Sequence, residues 1–187
     1  MRKLIFILTV FSVLFISCAK RGTITGGPKD TIAPVIVKSN PKNYGTNFTG
    51  KTIKIDFSEY IKVKDINKQL IISPPMEKSP TVIPQGSASK FISITLNEDL
   101  KPNTTYSFNF GQSITDYNEG IPYSQFKYIF STGAFVDSLT VSGNIKDAYE
   151  NKTDEFVTVM LYDAATCNDS LVYKQKPVYI TNTLEKN

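Results

Sequence analysis

Histidine and tryptophan are both absent from this 187-residue chain, and cysteine occurs only twice, as Cys18 and Cys167. Without histidine, a serine or cysteine nucleophile lacks the neighbouring base that most often activates it. Zinc and copper sites draw mainly on histidine and cysteine, so the same shortage argues against them. If Cys18 is consumed by acylation, Cys167 has no partner within the chain and no disulfide framework forms. Cys167 then reads as a small, partly buried apolar residue. A clustered basic face is also missing. The formal charge is +4, and the basic surplus falls to 19 against 17 once Arg2 and Lys3 are set aside with the leader. Scattered lysines do not make a nucleic-acid surface, and no nucleic-acid partner is expected.

What the chain has in quantity is the material of strands. Hydrophobic residues make up 41% and aromatics 12%, all of the latter Tyr and Phe, enough for a packed core. Three runs between residues 90 and 133 alternate with a period of two: Ile92, Ile94 and Leu96; Tyr106, Phe108 and Phe110; Phe126, Tyr128 and Phe130. Such alternation marks strands with one face in a core. Further strands are expected at residues 35–39, at 51–57 with Ile53, Ile55 and Phe57 inward, at 70–72 before Pro74-Pro75, and at 81–83 before Pro84. Residues 64–69 read as a single helical turn and 115–120 as a polar loop. About seven strands in a hundred residues, with turn signals between them, predict an all-β, immunoglobulin-like sandwich over residues 33–134. Leu100-x-Pro102-x-x-x-Tyr106 resembles the approach to a tyrosine corner, in which the hydroxyl turns back to the backbone upstream; the plainer alternative makes Tyr106 one more core aromatic.

After Gly133 the pattern restarts. Leu139, Val141 and Ile145 form one alternating run, and Val157, Val159 and Leu161 form another across a turn at residues 147–151. With a weaker strand at residues 178–181, residues 138–187 read as a partial second β unit, too small to bury much surface alone.

The N-terminus reads as an address. Arg2-Lys3 precedes an apolar run over residues 4–16, the n- and h-regions of a signal peptide, and too short to span a bilayer. Phe15-Ile16-Ser17-Cys18 resembles the bacterial lipobox, which implies a signal peptide over residues 1–17 and lipidation at Cys18. Palmitate-type acyl chains there would anchor the mature protein, each buried methylene contributing about 0.8 kcal/mol. An ordinary signal peptide cut elsewhere, or an uncleaved anchor, is the alternative. Residues 18–32, rich in glycine and charge, read as a flexible tether.

Residues 18 to about 163 look like an Ig-like domain-containing lipoprotein of Bacteroidota. The resemblance rests on Thr25-Gly26-Gly27-Pro28-Lys29-Asp30, Ile55-Asp56-Phe57-Ser58-Glu59-Tyr60-Ile61, Ile71-Ile72-Ser73-Pro74-Pro75, Asn103-Thr104-Thr105-Tyr106 and Phe130-Ser131-Thr132-Gly133. The sandwich is similar to the bacterial Ig-like module of S-layer proteins. Val141-Ser142-Gly143-Asn144-Ile145 with Val157-Thr158-Val159-Met160-Leu161-Tyr162-Asp163 resembles the start of a carboxypeptidase-regulatory or transthyretin-like β-domain, whose members continue well past Asn187. The resemblance implies a non-enzymatic cell-envelope lipoprotein on the outer membrane, the sandwich serving as an interaction or spacer module for an envelope protein or glycan. Lys20-Arg21 follows Cys18 where surface-exported lipoproteins of that phylum resemble one another in carrying acids, so a periplasm-facing anchor is expected.

No catalytic, cofactor or metal residue is expected. Glu98-Asp99 reads as a solvated turn, and Asp116, Asn118 and Glu119 are ordinary turn residues that could otherwise offer oxygens to calcium. Three Asp-Ser/Thr-aliphatic triplets resemble an O-glycosylation motif of the same phylum and mark Thr31, Ser138 and Ser170; solvated turns are the alternative reading. A glycan-binding or glycan-processing protein is the competing function. It needs a groove lined by exposed aromatics and paired carboxylates, and Tyr44, Tyr60, Tyr117 and Tyr123 gathered on one exposed face would favour it.

Overall fold

Ile53, Ile55, Phe57, Ile61 and Val63 fall on one side of a single long strand, and this strand anchors the whole fold. In the computed structural model it is β2 (Thr52–Val63), which continues six residues beyond the expected end at Phe57 because the apolar alternation itself continues. The structure describes residues 27–151, 157–166, 168 and 170–183. The leader, Cys18 and Cys167 lie outside them. The described residues from Thr31 onward form one compact unit.

The other strands are β1 (Ile36–Asn40), β3 (Ile71–Ser73), β4 (Thr81–Ile83), β5 (Ser89–Thr95), β6 (Thr105–Asn109), β7 (Ile114–Asp116), β8 (Lys127–Ser131), β9 (Thr158–Leu161) and β10 (Tyr179–Asn182). Two single-turn helices, α1 (Ile66–Gln69) and α2 (Leu171–Lys174), complete the elements; α1 was expected from the sequence and α2 was not. One sheet has the order β1-β2-β5-β4 and another β3-β6-β8. Lettering the seven sandwich strands in chain order, with β7 as an insertion, gives A-B-E-D facing C-F-G. That is the constant-type immunoglobulin arrangement.

Both sheets place their alternating apolar sides into one core. Ile53, Ile55, Ile92 and Ile94 come from the first sheet, and Phe108, Tyr128 and Phe130 from the second. Burying one such side chain contributes roughly 1.5–3 kcal/mol. The rings of Tyr106 and Phe130 stack at 5.6 Å, and Phe48 meets Phe130 edge-on at 4.9 Å. Phe48 arrives because the chain, after pairing β1 with β2, crosses to the other sheet. Residues 44–48 run beside β8, with Gly45 bridged in parallel to Phe130.

Two expectations change. The sequence predicts a polar loop over residues 115–120, yet Ile114, Thr115 and Asp116 form β7, all three buried and paired antiparallel with Ile61 to Val63 at the far end of β2. The length of β2 provides that pairing edge. Conversely, residues 139–145 form no strand: among the described residues no strand pairs with them, and Leu139 and Val141 are 98% and 93% exposed. β9 and β10 pair as a two-stranded ribbon. β10 lies against β3, where the Ile180 N–H donates to Ser73 Oγ at 3.1 Å.

Candidate ligand-binding face

Alternation that sends Ile53, Ile55 and Phe57 inward sends Lys54, Asp56, Tyr60 and Lys62 to the opposite side of β2. Register assembles these into cross-strand rows. Lys38, Asp56 and Phe91 stand in line across β1, β2 and β5, and Asn40, Lys54, Ser93 and Ile83 form the adjacent row out to β4. Directly opposed residues on one face have Cβ atoms about 4.5–5.5 Å apart, so each row is a contiguous surface. Lys54 Nζ lies 3.0 Å from Asp56 Oδ1 and 4.9 Å from the centre of the Phe91 ring.

Further along, the β2–β5 register slips between Asp56 and Ile61. At this bulge Lys90 brings its ammonium to 5.1 Å from the centre of the Tyr60 ring. The Tyr117 N–H donates to the Tyr60 carbonyl at 3.0 Å, which extends the β2–β7 register by one pair and sets the two tyrosines opposite each other. Their exposures are 54% and 49%. The face therefore carries two ring–ammonium pairs, a third ring at Tyr117, and Lys38 and Lys62 nearby.

Of the four tyrosines whose clustering would favour the glycan reading, the structure joins Tyr60 and Tyr117. Tyr44 sits beside β8 on the other sheet, its N–H bonded to the Ile129 carbonyl at 2.7 Å. Tyr123 packs against the core, its ring 5.3 Å from Phe126. Phe91 and the lysine partners were not singled out from the sequence. The phase of β2 gives Lys54 and Tyr60 an outward position, but pairing Lys90 with Tyr60 depends on the bulge.

A model of the bacterial Ig-like domain matches residues 30–132, more than half of the chain. The chain belongs to that family. No curated protein matches it.

Within the bacterial Ig-like domain the tyrosine corner is present. Tyr106 Oη accepts the Lys101 N–H at 2.9 Å, and Thr132 Oγ1 donates to the Lys101 carbonyl at 2.7 Å while accepting the Thr104 N–H at 2.9 Å. Burial raises the Tyr106 pKa above its ordinary value; the Lys101 bond opposes this and the Glu98 charge adds to it. Tyr128 donates from its hydroxyl to the Pro41 carbonyl, and burial pushes it up to about 12 against an opposing bond with Ser39.

The carboxylates weighed in the sequence have local partners. Asp116 accepts the Glu119 N–H at 2.5 Å. Burial alone would raise its pKa, but bonds from Glu119, Gly120 and Asn118 outweigh it and hold the group below the ordinary value. Its oxygens are thus turned to its own loop. Glu98 accepts the Lys78 N–H at 2.6 Å and Asp99 pairs with Lys51 at 3.0 Å. Among the described residues no group of three or more His, Cys, Asp or Glu side chains gathers, and no helix is long and apolar enough to cross a membrane.

Of the triplet hydroxyls, Thr31 and Ser138 are exposed, and Ser170, half-buried, donates to Asn168 Oδ1 at 3.0 Å ahead of α2. Cys18 lies outside the described residues. Two hollows occur away from the face: one of about 520 Å³ between α1 and Gly86, and one of about 700 Å³ between Pro74-Pro75 and residues 174–179.

Proposed function

We propose that this protein is a non-enzymatic lipoprotein of the cell envelope, held to the outer membrane by acyl chains on Cys18 and facing the periplasm, with its bacterial Ig-like domain as an interaction module. The observation that carries the reading is the exposed outer face of the β1-β2-β5 layer, where Phe91 and Tyr60 each sit under a lysine ammonium. Exposed aromatics grouped on one surface mark interaction sites. The absence of histidine removes the commonest general base and supports binding in preference to catalysis. For the anchor, support comes from the Arg2-Lys3 leader, the apolar run and Ser17-Cys18. For orientation it comes from the lack of acidic residues between Cys18 and Asp30, where Lys20-Arg21 stand instead; their attraction to an anionic leaflet, roughly 1 kcal/mol each, holds the tether to a membrane without choosing its side.

The test has two arms. Cys18→Ala should release the protein from membranes or leave an unprocessed precursor; unchanged mass and fractionation would refute the anchor. Photo-crosslinking from position 117 in intact envelopes should yield adducts that the Tyr60→Ala variant loses. Adducts of equal yield in both would refute the face as the contact surface.

A further inference from the structure

Four outward features of one sheet face combine into a recognition chemistry. Two rings, Phe91 and Tyr60, each lie about 5 Å from a lysine ammonium, at 4.9 and 5.1 Å. Tyr117 stands opposite Tyr60 across the β2–β7 pairing and is half exposed. Lys38 and Lys62 join Lys54 at the outward positions of β1 and β2, where Asp56 is the acid. Finally, Phe91, Tyr60 and Tyr117 are 39%, 54% and 49% exposed, so the face is open to solvent.

We infer that this face binds an acidic polysaccharide, with Tyr60, Tyr117 and Phe91 stacking against sugar rings and Lys90, Lys54, Lys62 and Lys38 taking the acid groups. The inference rests on the interaction-module reading and names the partner class. Charge selects an acidic partner: the lysines outnumber the one aspartate, which already pairs with Lys54. The ring–ammonium unit selects the polymer. It occurs twice along the face, and a chain of acid-bearing sugar rings presents the complementary pair, an apolar C–H face beside an anion, at every repeat. A globular protein partner would seat aromatic anchors in desolvated pockets, and this face offers rings on an open surface instead. Single-stranded nucleic acid also combines rings with anions, but it is bound in a positively charged groove that tracks the backbone. This chain has a surplus of +4 spread over its length.

In the complex the polymer's acid groups draw the lysine ammoniums from ring to anion. The rings, freed from their cation, turn to the sugar. The sandwich core takes no part, since Ile53, Ile55, Ile92 and Ile94 lie on the opposite side of the same strands.

The experiment is affinity electrophoresis and calorimetry of the full chain against alginate as a polyuronate, a phosphomannan as a phosphate-bearing glycan, dextran as a neutral glycan, and oligo-dT. Retardation by alginate or phosphomannan, but not by dextran, is expected, and the stronger of the two identifies the acid group. Tyr60→Ala/Tyr117→Ala should weaken binding at least about tenfold, or about 1.4 kcal/mol, with an unchanged thermal midpoint because both side chains are solvent-facing. Lys90→Gln should weaken it less and flatten its salt dependence. Equal retardation by dextran, stronger binding of oligo-dT, or full binding by the double tyrosine variant would each overturn the inference. If neither acidic glycan binds while the position-117 envelope adducts persist, the glycan assignment fails and the interaction module stands. If both tests fail, the module reading falls as well.

Discussion

Replacing Tyr106 with phenylalanine removes one oxygen from a residue that is 3% exposed and leaves its ring stacked on Phe130. The oxygen accepts the Lys101 N–H, and among the described residues no other acceptor is bonded to that amide. A net hydrogen bond contributes about 0.5–1.5 kcal/mol, whereas an amide left buried and unpaired costs about 1–3 kcal/mol. Lys101 is itself exposed, so water can reach the loop and the lower range applies. The expected loss is about 1 kcal/mol, seen as a fall of about 2–4 °C in thermal midpoint for a compact unit of this size. The second anchor of the same loop, Thr132, gives a stricter test. Thr132→Val removes the donor to the Lys101 carbonyl. If the two bonds hold one turn together, the double variant loses less than the sum of the singles, because the turn is already loosened by either change. Chemical denaturation of the four proteins, with m-values compared, is the assay. A Tyr106→Phe midpoint equal to wild type would show that the corner does not stabilise the fold, and strict additivity would show that Tyr106 and Thr132 act independently.

Other outcomes follow from the same geometry. Tyr128 has its folded pKa raised to about 12 from an ordinary 10, so its contribution is fully present below pH 10 and is lost as pH rises towards 12; about 3 kcal/mol of stability is expected to go over that window, and Tyr128→Phe should flatten the alkaline limb of a denaturation–pH profile. Ile92→Ala empties a fully buried site between the sheets and should cost about 2–5 kcal/mol by urea denaturation. Gly45→Ala places a Cβ 2.7 Å from the Lys42 carbonyl oxygen, which forces a backbone shift where the chain runs beside β8, and should cost about 1–3 kcal/mol in the same assay.

Period-two alternation made the sandwich readable wherever one face meets the core and the other meets water. Ile53, Ile55 and Phe57 on β2, Ile92 and Ile94 on β5, and Phe108 and Phe110 around β6 all follow it. β7 was unreadable for the same reason. Ile114, Thr115 and Asp116 are buried on both faces, and polar residues satisfied by local bonds look like a loop in sequence. Residues 139–145 show the converse: alternation supplies a face, but a strand also needs a neighbour to take its backbone hydrogen bonds. For the candidate face, the sequence offers Tyr60 and Tyr117 as two of four tyrosines, without saying which of the four meet. What sequence could not supply was the register slip that swings Lys90 over Tyr60, since a bulge depends on two strands at once.

The placement of the β9–β10 ribbon against β3 has a colloidal consequence. The β3-β6-β8 sheet has its two margins screened differently: residues 44–48 run along β8, while β10 lies along β3, pinned through Ser73. An uncovered sheet margin is a template for another chain's strand. The matched Ig-like region alone, residues 30–132, carries the first screen and lacks the second. Cut to that length, the domain would keep its core and its lysine-bearing face, yet would present β3 to its neighbours in solution. Its solubility limit would then be set by the loss of residues that lie outside the sandwich altogether.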